Sequence, residues 1–96
     1  MSAFARCLLV VAVVMFAAPA SAECYADYKA SKDRPLRLHY GVMELPQDAC
    51  DPGRAERAAE RRLREAGWKL LGVMSVFGPE GLDERRESAG EFFLRY

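Results

Sequence analysis

Apolar and polar residues alternate along residues 36–45, LRLHYGVMEL, and this pattern predicts a β-strand. The even positions are apolar and the odd positions are mostly polar or small, with Leu36, Leu38, Tyr40 and Val42 set against Arg37, His39, Gly41 and Met43. A period of two residues is typical of a strand with one buried face. We therefore expect the first strand here, with its even-numbered side chains facing the core and His39 facing outward.

A helix is predicted from Pro52 to Ala66. Asp51 is a suitable N-cap, and Pro52 at the first helical position loses no hydrogen bond because that amide has no partner inside a helix. Apolar residues recur at a spacing of three or four, which places them on one face: Ala55, Ala59, Leu63 and Ala66. Gly67 is suited to the left-handed backbone that ends many helices.

Two further strands are expected after the helix. Residues 68–77, WKLLGVMSVF, are rich in β-branched and aromatic side chains, and residues 91–96, EFFLRY, are similar. The polar segment 78–90 predicts a long connection with one helical turn over residues 82–89. Together these elements predict an α+β domain of order β-α-β-β, in which one helix covers one face of a three-stranded sheet. The other face keeps apolar side chains that need cover from residues 23–35, from the 78–90 connection or from a partner chain.

The first 22 residues have the three parts of a secretory signal peptide. Arg6 precedes an apolar run from Cys7 to Ala18, which is followed by a turn-forming proline and a small-residue triplet ending at Ala22. The run is shorter than the roughly 20 residues of a membrane-spanning helix. We predict cleavage between Ala22 and Glu23, which leaves residues 23–96 as one exported domain with no stable membrane insertion; an uncleaved anchor is the alternative. The richness in Arg and Ala favours a bacterial source and hence the periplasm, with secretion from the cell as the alternative.

Cys24 and Cys50 are the cysteines that remain after such cleavage, and we predict a disulfide between them. Glu23 is too large and too charged for the position before a lipidated cysteine, so a lipid anchor on Cys24 is not expected. Two unpaired thiols are the alternative. The bond would tie an N-terminal arm, residues 23–35, to a core of residues 36–96. Its loop closure would destabilise the unfolded chain by about 3.5 kcal/mol.

Composition and residue context argue against several classes of function. Lys and Arg together number 14, as do Asp and Glu, so no overall field favours nucleic acid or an anionic membrane. His39 is the single histidine, and the serines lie in no context typical of a catalytic triad. We therefore expect no catalytic residues, no metal site and no cofactor.

The segment of Gly67, Trp68, Lys69 and Leu70 resembles a family of small bacterial domains of unknown function, whose hallmark is a helix ending in Gly-Trp-Glu-Leu. The similarity covers about residues 36–96, and Lys69 stands where the family has Glu. The resemblance implies the same β-α-β-β fold and brings no activity with it. From the residues alone, Trp68 directly after a helix-ending glycine predicts a structural wedge between helix and sheet, with ligand stacking as the alternative.

Two segments are candidate binding sites. Four arginines form a stripe on the predicted helix: Arg54, Arg57, Arg61 and Arg64. Guanidinium groups bind carboxylates and phosphates bidentately, although a solvated helix face supported by a Glu60–Arg64 pair is the alternative. The second candidate is the loop FGPEGL, residues 77–82, with Glu80 at its centre. A turn that only reverses the chain is the alternative there.

We therefore expect a non-enzymatic exported module that binds a protein or a cell-envelope component through the uncovered sheet face and the 78–90 loop. A second hypothesis is a small-molecule or anion-binding domain, or a minimal hydrolase, that uses His39, Tyr40 and the arginine stripe. A third is a homodimer with a purely structural role. No nucleic-acid partner is expected under any of the three.

Overall fold

The computed structural model describes residues 23–96, so the predicted signal peptide, residues 1–22 with its cleavage site after Ala22, lies outside the described residues. Three strands and two helices follow one another in the order β-β-α-β-α. Their bounds are β1 Cys24–Lys32, β2 Arg37–Leu45, α1 Pro52–Glu65, β3 Lys69–Phe77 and α2 Asp83–Ala89, with short 3-10 turns at Gln47–Ala49, Pro79–Gly81 and Gly90–Phe92. No helix in this part of the chain is both long enough and apolar enough to cross a membrane.

The three-stranded sheet has the order β2-β1-β3, and β1 pairs antiparallel with both neighbours. Residues 23–35 were expected to form an arm, and that expectation is wrong because most of them form the central strand. Alternate side chains of β1, among them Ala26 and Tyr28, are fully buried. A strand that is hydrogen-bonded along both edges needs little help from intrinsic β-propensity, so small residues are tolerated there.

The C-terminal residues 91–96 do not form the third strand that their aromatic content predicted. Gly90 has a φ of 55° and starts a 3-10 turn, and Leu94 has a φ of 58°. The backbone of the segment pairs with the sheet at one isolated bridge between Val42 and Phe93, where the Leu94 amide donates to the Val42 carbonyl at 2.8 Å. The α+β class and the three-stranded sheet are confirmed, and the order of elements differs from β-α-β-β.

α1 covers one face of the sheet. The Asp51 carboxylate accepts a hydrogen bond from the Arg54 amide at 3.2 Å, and Pro52 opens the helix. The buried side of α1 consists mainly of alanines around Leu63, so the helix axis can lie close to the sheet, where it contacts β3 most and β2 less. Gly67, with a φ of 85°, then turns the chain into β3.

The side chains of β2 face the opposite way from the prediction. Ala30 of β1 pairs with His39 and Ala26 pairs with Met43, which places the odd positions of β2 under α1, where both are buried. The even position Leu38 is 65% exposed, and Leu36, just before the strand, is 67% exposed. The alternating pattern identified the strand correctly, but the register of the hairpin decides which of its faces meets the helix.

The disulfide between Cys24 and Cys50 is confirmed, with the two Cα atoms 5.8 Å apart. It joins the first residue of the central strand to the residue before the Asp51 cap of α1. The bond therefore fixes β1 to the helix that covers it, and it is consistent with an exported protein.

Candidate binding surface

The sheet face opposite α1 is covered at one end only. There, Ala89 of α2 and Phe93 of the C-terminal segment pack against Tyr25 and Val42 in a second apolar cluster. α2 has seven residues, half the length of α1, so its cover stops near the middle of the strands. We call the uncovered end the open half-sheet, formed by Lys29, Leu36, Leu38, Tyr40 and Leu71.

Exposed leucines line a shallow depression in the open half-sheet. Leu38 and Leu71 border a cavity of about 290 Å³ that Lys29 and Tyr40 also line. Leu71 is 54% exposed and has no partner in β1, because the pairing of β1 with β3 shifts register between Lys29 and Ala30. A β-bulge of this kind re-aims a side chain. Gly72 lies beside it, and a methyl group added there would meet no atom within 4 Å, so this end of the sheet is open.

A buried polar group that we call the Asp27 cluster separates the open half-sheet from α2. Asp27 accepts hydrogen bonds from Ser75 at 2.7 Å, from the Tyr40 hydroxyl at 2.8 Å and from Arg85 Nε at 3.1 Å. The Arg85 guanidinium also lies over the Phe77 ring, 3.9 Å from its centre. Arg85 belongs to α2 and Asp27 to the central strand, so this cluster holds α2 on the sheet.

The protonation states in the Asp27 cluster suit anchoring better than catalysis. Burial alone would raise the pKa of Asp27, but the hydrogen bonds from Ser75, Tyr40 and Arg85 outweigh it and hold that pKa below its ordinary value. Burial and the bond to Asp27 raise the pKa of Tyr40 to about 12. Asp27 is thus ionised with both oxygens occupied, and a carboxylate in that state is a weak proton acceptor for a substrate.

His39 lies on the other face of the sheet and is 9% exposed, so its predicted outward position is wrong. Its Nε2 is 2.9 Å from the Tyr28 hydroxyl, and the Phe92 ring stacks on it with centres 3.7 Å apart. Trp68, itself buried at the end of α1, meets the imidazole edge-on at 4.3 Å. Burial lowers the pKa of His39. Enclosed by rings on two sides, the imidazole is poorly placed for a substrate or a metal ion.

The arginine stripe lies on the exposed side of α1, away from the open half-sheet. Arg54 contacts Asp51 at 3.7 Å, and Arg64 pairs with Glu60 at 3.2 Å. Arg57 and Arg61 have no carboxylate within 4.0 Å among residues 23–96. With Arg54 they border a second depression of about 290 Å³ beside the Gln47–Ala49 turn. Glu80 is exposed in the Pro79–Gly81 turn at the α2 end, so the structure does not bring these candidates together.

Three residues of the site were not anticipated. Asp27 and Arg85 are 58 positions apart in the chain, and Lys29 fell in the presumed arm. A signal was present for Asp27, because a carboxylate inside the alternating stretch CYADYKA must either face water or find a partner. Its partner depends on where α2 docks, which local pattern does not specify.

Comparisons with protein-family models, with curated proteins and with solved structures find no match to this chain. The resemblance of the Gly67–Leu70 segment to the Gly-Trp-Glu-Leu family therefore stays a prediction. Within residues 23–96, no group of three or more His, Cys, Asp or Glu side chains is arranged to hold a metal ion.

Proposed function

We propose that this protein is an exported, non-enzymatic binding module of the periplasm that engages a protein or another component of the cell envelope through the open half-sheet. The observation that carries the proposal is the exposure of Leu38 and Leu71, each more than half exposed beside one depression, with Leu36, 67% exposed, two positions before Leu38 in the adjoining turn. Single exposed apolar residues are ordinary on protein surfaces, whereas a contiguous group marks an interaction site.

The remainder of the molecule supports this role by making the surface rigid. The Asp27 cluster fixes Tyr40 at one border, and the disulfide fixes the central strand against α1. A surface that is ordered before binding loses little conformational entropy when it meets a partner. The disulfide also fits the oxidising compartment that the predicted signal peptide specifies.

A photo-crosslinking amino acid placed at Leu38 in the exporting cell tests the proposal. The matched control carries the same amino acid at Arg57, which is also exposed but lies on α1, away from the open half-sheet. We expect light-dependent adducts from position 38 and none from position 57. Intact mass then identifies the partner as a protein, a lipid or a second copy of the chain.

Two results would refute the proposal. Adducts from position 57 alone would move the binding site to the arginine stripe and favour the anion-binding hypothesis. The absence of adducts from both positions in folded, exported protein would remove the open half-sheet as a binding surface. An adduct of twice the chain mass would assign the surface to the structural homodimer.

A further inference from the structure

Charged residues are unevenly distributed, although their total is balanced. The end of the sheet that carries the open half-sheet has five cations and a single carboxylate, Asp33: Lys29, Lys32, Arg34, Arg37 and Lys69. We call this region the hairpin end. At the opposite end, the Pro79–Gly81 turn and α2 carry four carboxylates against two arginines: Glu80, Asp83, Glu84 and Glu87 against Arg85 and Arg86. Among the residues of the strands, their turns and α2, positive charge is therefore concentrated at the hairpin end and negative charge at the α2 end, while α1 carries charges of both signs.

Some cations of the hairpin end lie on the same face as its exposed leucines, and others lie on the α1 face. Lys29 lines the depression, and Lys69 shares a cross-strand row with Leu38 through Ser31. On the α1 face of the same end, the Lys32 ammonium lies 4.4 Å from the centre of the Trp68 ring. Exposed leucines and cations thus occur together at one end of the molecule.

The size of the open half-sheet bears on the kind of partner. Strands about 4.8 Å apart and a rise of about 3.3 Å per residue give half of this three-stranded face an area of roughly 200 Å². A stable protein interface buries about 800 Å² on each partner. A lipid surface has no such minimum, because its binding adds the burial of a few apolar side chains to the attraction of nearby cations.

We propose that the hairpin end docks reversibly on an anionic lipid surface. In this arrangement Leu36, Leu38 and Leu71 enter the boundary between headgroups and acyl chains, and the nearby lysines and arginines meet lipid phosphates. The carboxylates around α2 point away into water. The proposal rests on the proposed function, since it specifies the partner of the same surface.

Sedimentation with lipid vesicles tests the lipid proposal directly. The purified, disulfide-bonded protein is mixed with vesicles of phosphatidylcholine alone and with vesicles that also contain phosphatidylglycerol. We expect binding to the anionic vesicles only, with release by added salt because the screening length shortens. The double variants Leu38→Ser/Leu71→Ser and Lys29→Gln/Lys69→Gln should each lower the partition coefficient roughly tenfold or more.

Matched variants show whether the effect belongs to the hairpin end. Met74→Ser removes an apolar side chain that is 55% exposed nearer the middle of β3, and Arg57→Gln/Arg61→Gln removes two cations from α1. Both should bind anionic vesicles like the parent protein. All of these side chains are exposed, and equal thermal unfolding temperatures would verify that the fold is unchanged.

Three vesicle results would overturn the lipid proposal: no sedimentation with either vesicle, equal sedimentation with both, or equal losses from the hairpin-end and α1 charge variants. The crosslinking experiment separates this failure from that of the proposed function. A protein adduct at position 38 without vesicle binding would keep the binding module and make its partner a protein. No adduct and no vesicle binding would refute both proposals.

Discussion

Acidification below the ordinary pKa of histidine is expected to destabilise the fold through His39. The imidazole lies between the stacked Phe92 ring and the edge of Trp68, and its Nε2 faces the Tyr28 hydroxyl. Its Nδ1 is the one buried side-chain nitrogen or oxygen within residues 23–96 that has no hydrogen-bond partner. A proton added to this ring would create a charge in a place that offers it little compensation.

The sign of the effect follows from the direction of the pKa shift. Burial lowers the pKa of His39 in the folded state, Glu91 opposes that shift, and Lys32 and Arg95 add to it. Below the ordinary histidine pKa of 6.5, His39 binds a proton in the unfolded chain but not in the folded chain. The free energy of unfolding therefore falls as pH falls. One group can change the free energy of unfolding by at most about 1.4 kcal/mol per pH unit, and the loss stops at the folded-state pKa.

Urea unfolding followed by the fluorescence of Trp68, the single tryptophan, measures this slope from about pH 8 to about pH 5. His39→Gln removes the titration and keeps a side chain that can bond to Tyr28, so its stability should change less over the same range. The Asp27 carboxyl, whose pKa is lowered from 3.8, contributes only at lower pH. Equal slopes for the parent and the glutamine variant, or a gain in stability on acidification, would refute the reasoning.

Three further substitutions or treatments have defined outcomes. Asp27→Asn should lower the free energy of unfolding by about 3 kcal/mol, because it leaves the Arg85 guanidinium beside a neutral amide. It should also speed backbone amide hydrogen exchange in α2. An exchange rate in α2 equal to that of the parent protein would contradict the anchoring role of Asp27. Gly41→Ala should cost about 1–3 kcal/mol in urea, since the new methyl group would overlap the Tyr28 hydroxyl, and a neutral result would contradict that packing. Reduction of the disulfide, which spans 26 positions, should destabilise the protein by about 3.5 kcal/mol when the thermal unfolding of oxidised and reduced protein is compared. Equal unfolding temperatures would contradict a stabilising role of the disulfide.

α1 could be predicted from sequence because its determinants are local. The Asp51 cap, Pro52 at the first turn, the spaced alanines and Gly67 all act within a few positions of one another. The predicted range, 52–66, differs from the observed Pro52–Glu65 by one residue. The helical turn expected within residues 82–89 is likewise present as α2.

β1 and the C-terminal segment were mispredicted because their structure depends on distant residues. The stretch CYADYKASK has little intrinsic preference for a strand, and its place in the sheet comes from hydrogen bonds to both β2 and β3. Phe92 has a strong strand preference, but it lies in a 3-10 turn where its ring stacks on His39. Local pattern carries no information on such contacts between distant parts of the chain.

A partly uncovered sheet face was expected from the sequence, but the residues that form it were only partly identified. The excess of apolar strand residues correctly indicated a sheet face with incomplete cover. The 78–90 segment, expected as possible cover and as part of the binding surface, forms α2 and covers one end of that face; its share in binding stays a prediction. Exposure of Leu38 follows from the hairpin register, and exposure of Leu71 follows from the bulge in β3. Neither register nor bulge can be derived from alternation alone.

The central position of β1 has a consequence for the order in which the sheet could form if the chain is exported as we propose. In a chain that crosses a membrane from its N-terminus, β1 arrives first, but one of its neighbours, β3, arrives only after the whole of α1. The hairpin of β1 and β2 is marginally stable by itself in water. Cys50 must also cross before it can join Cys24. If the chain is exported as we propose, the sheet would be completed only when β3 arrives, and its covalent link only after Cys50 has crossed.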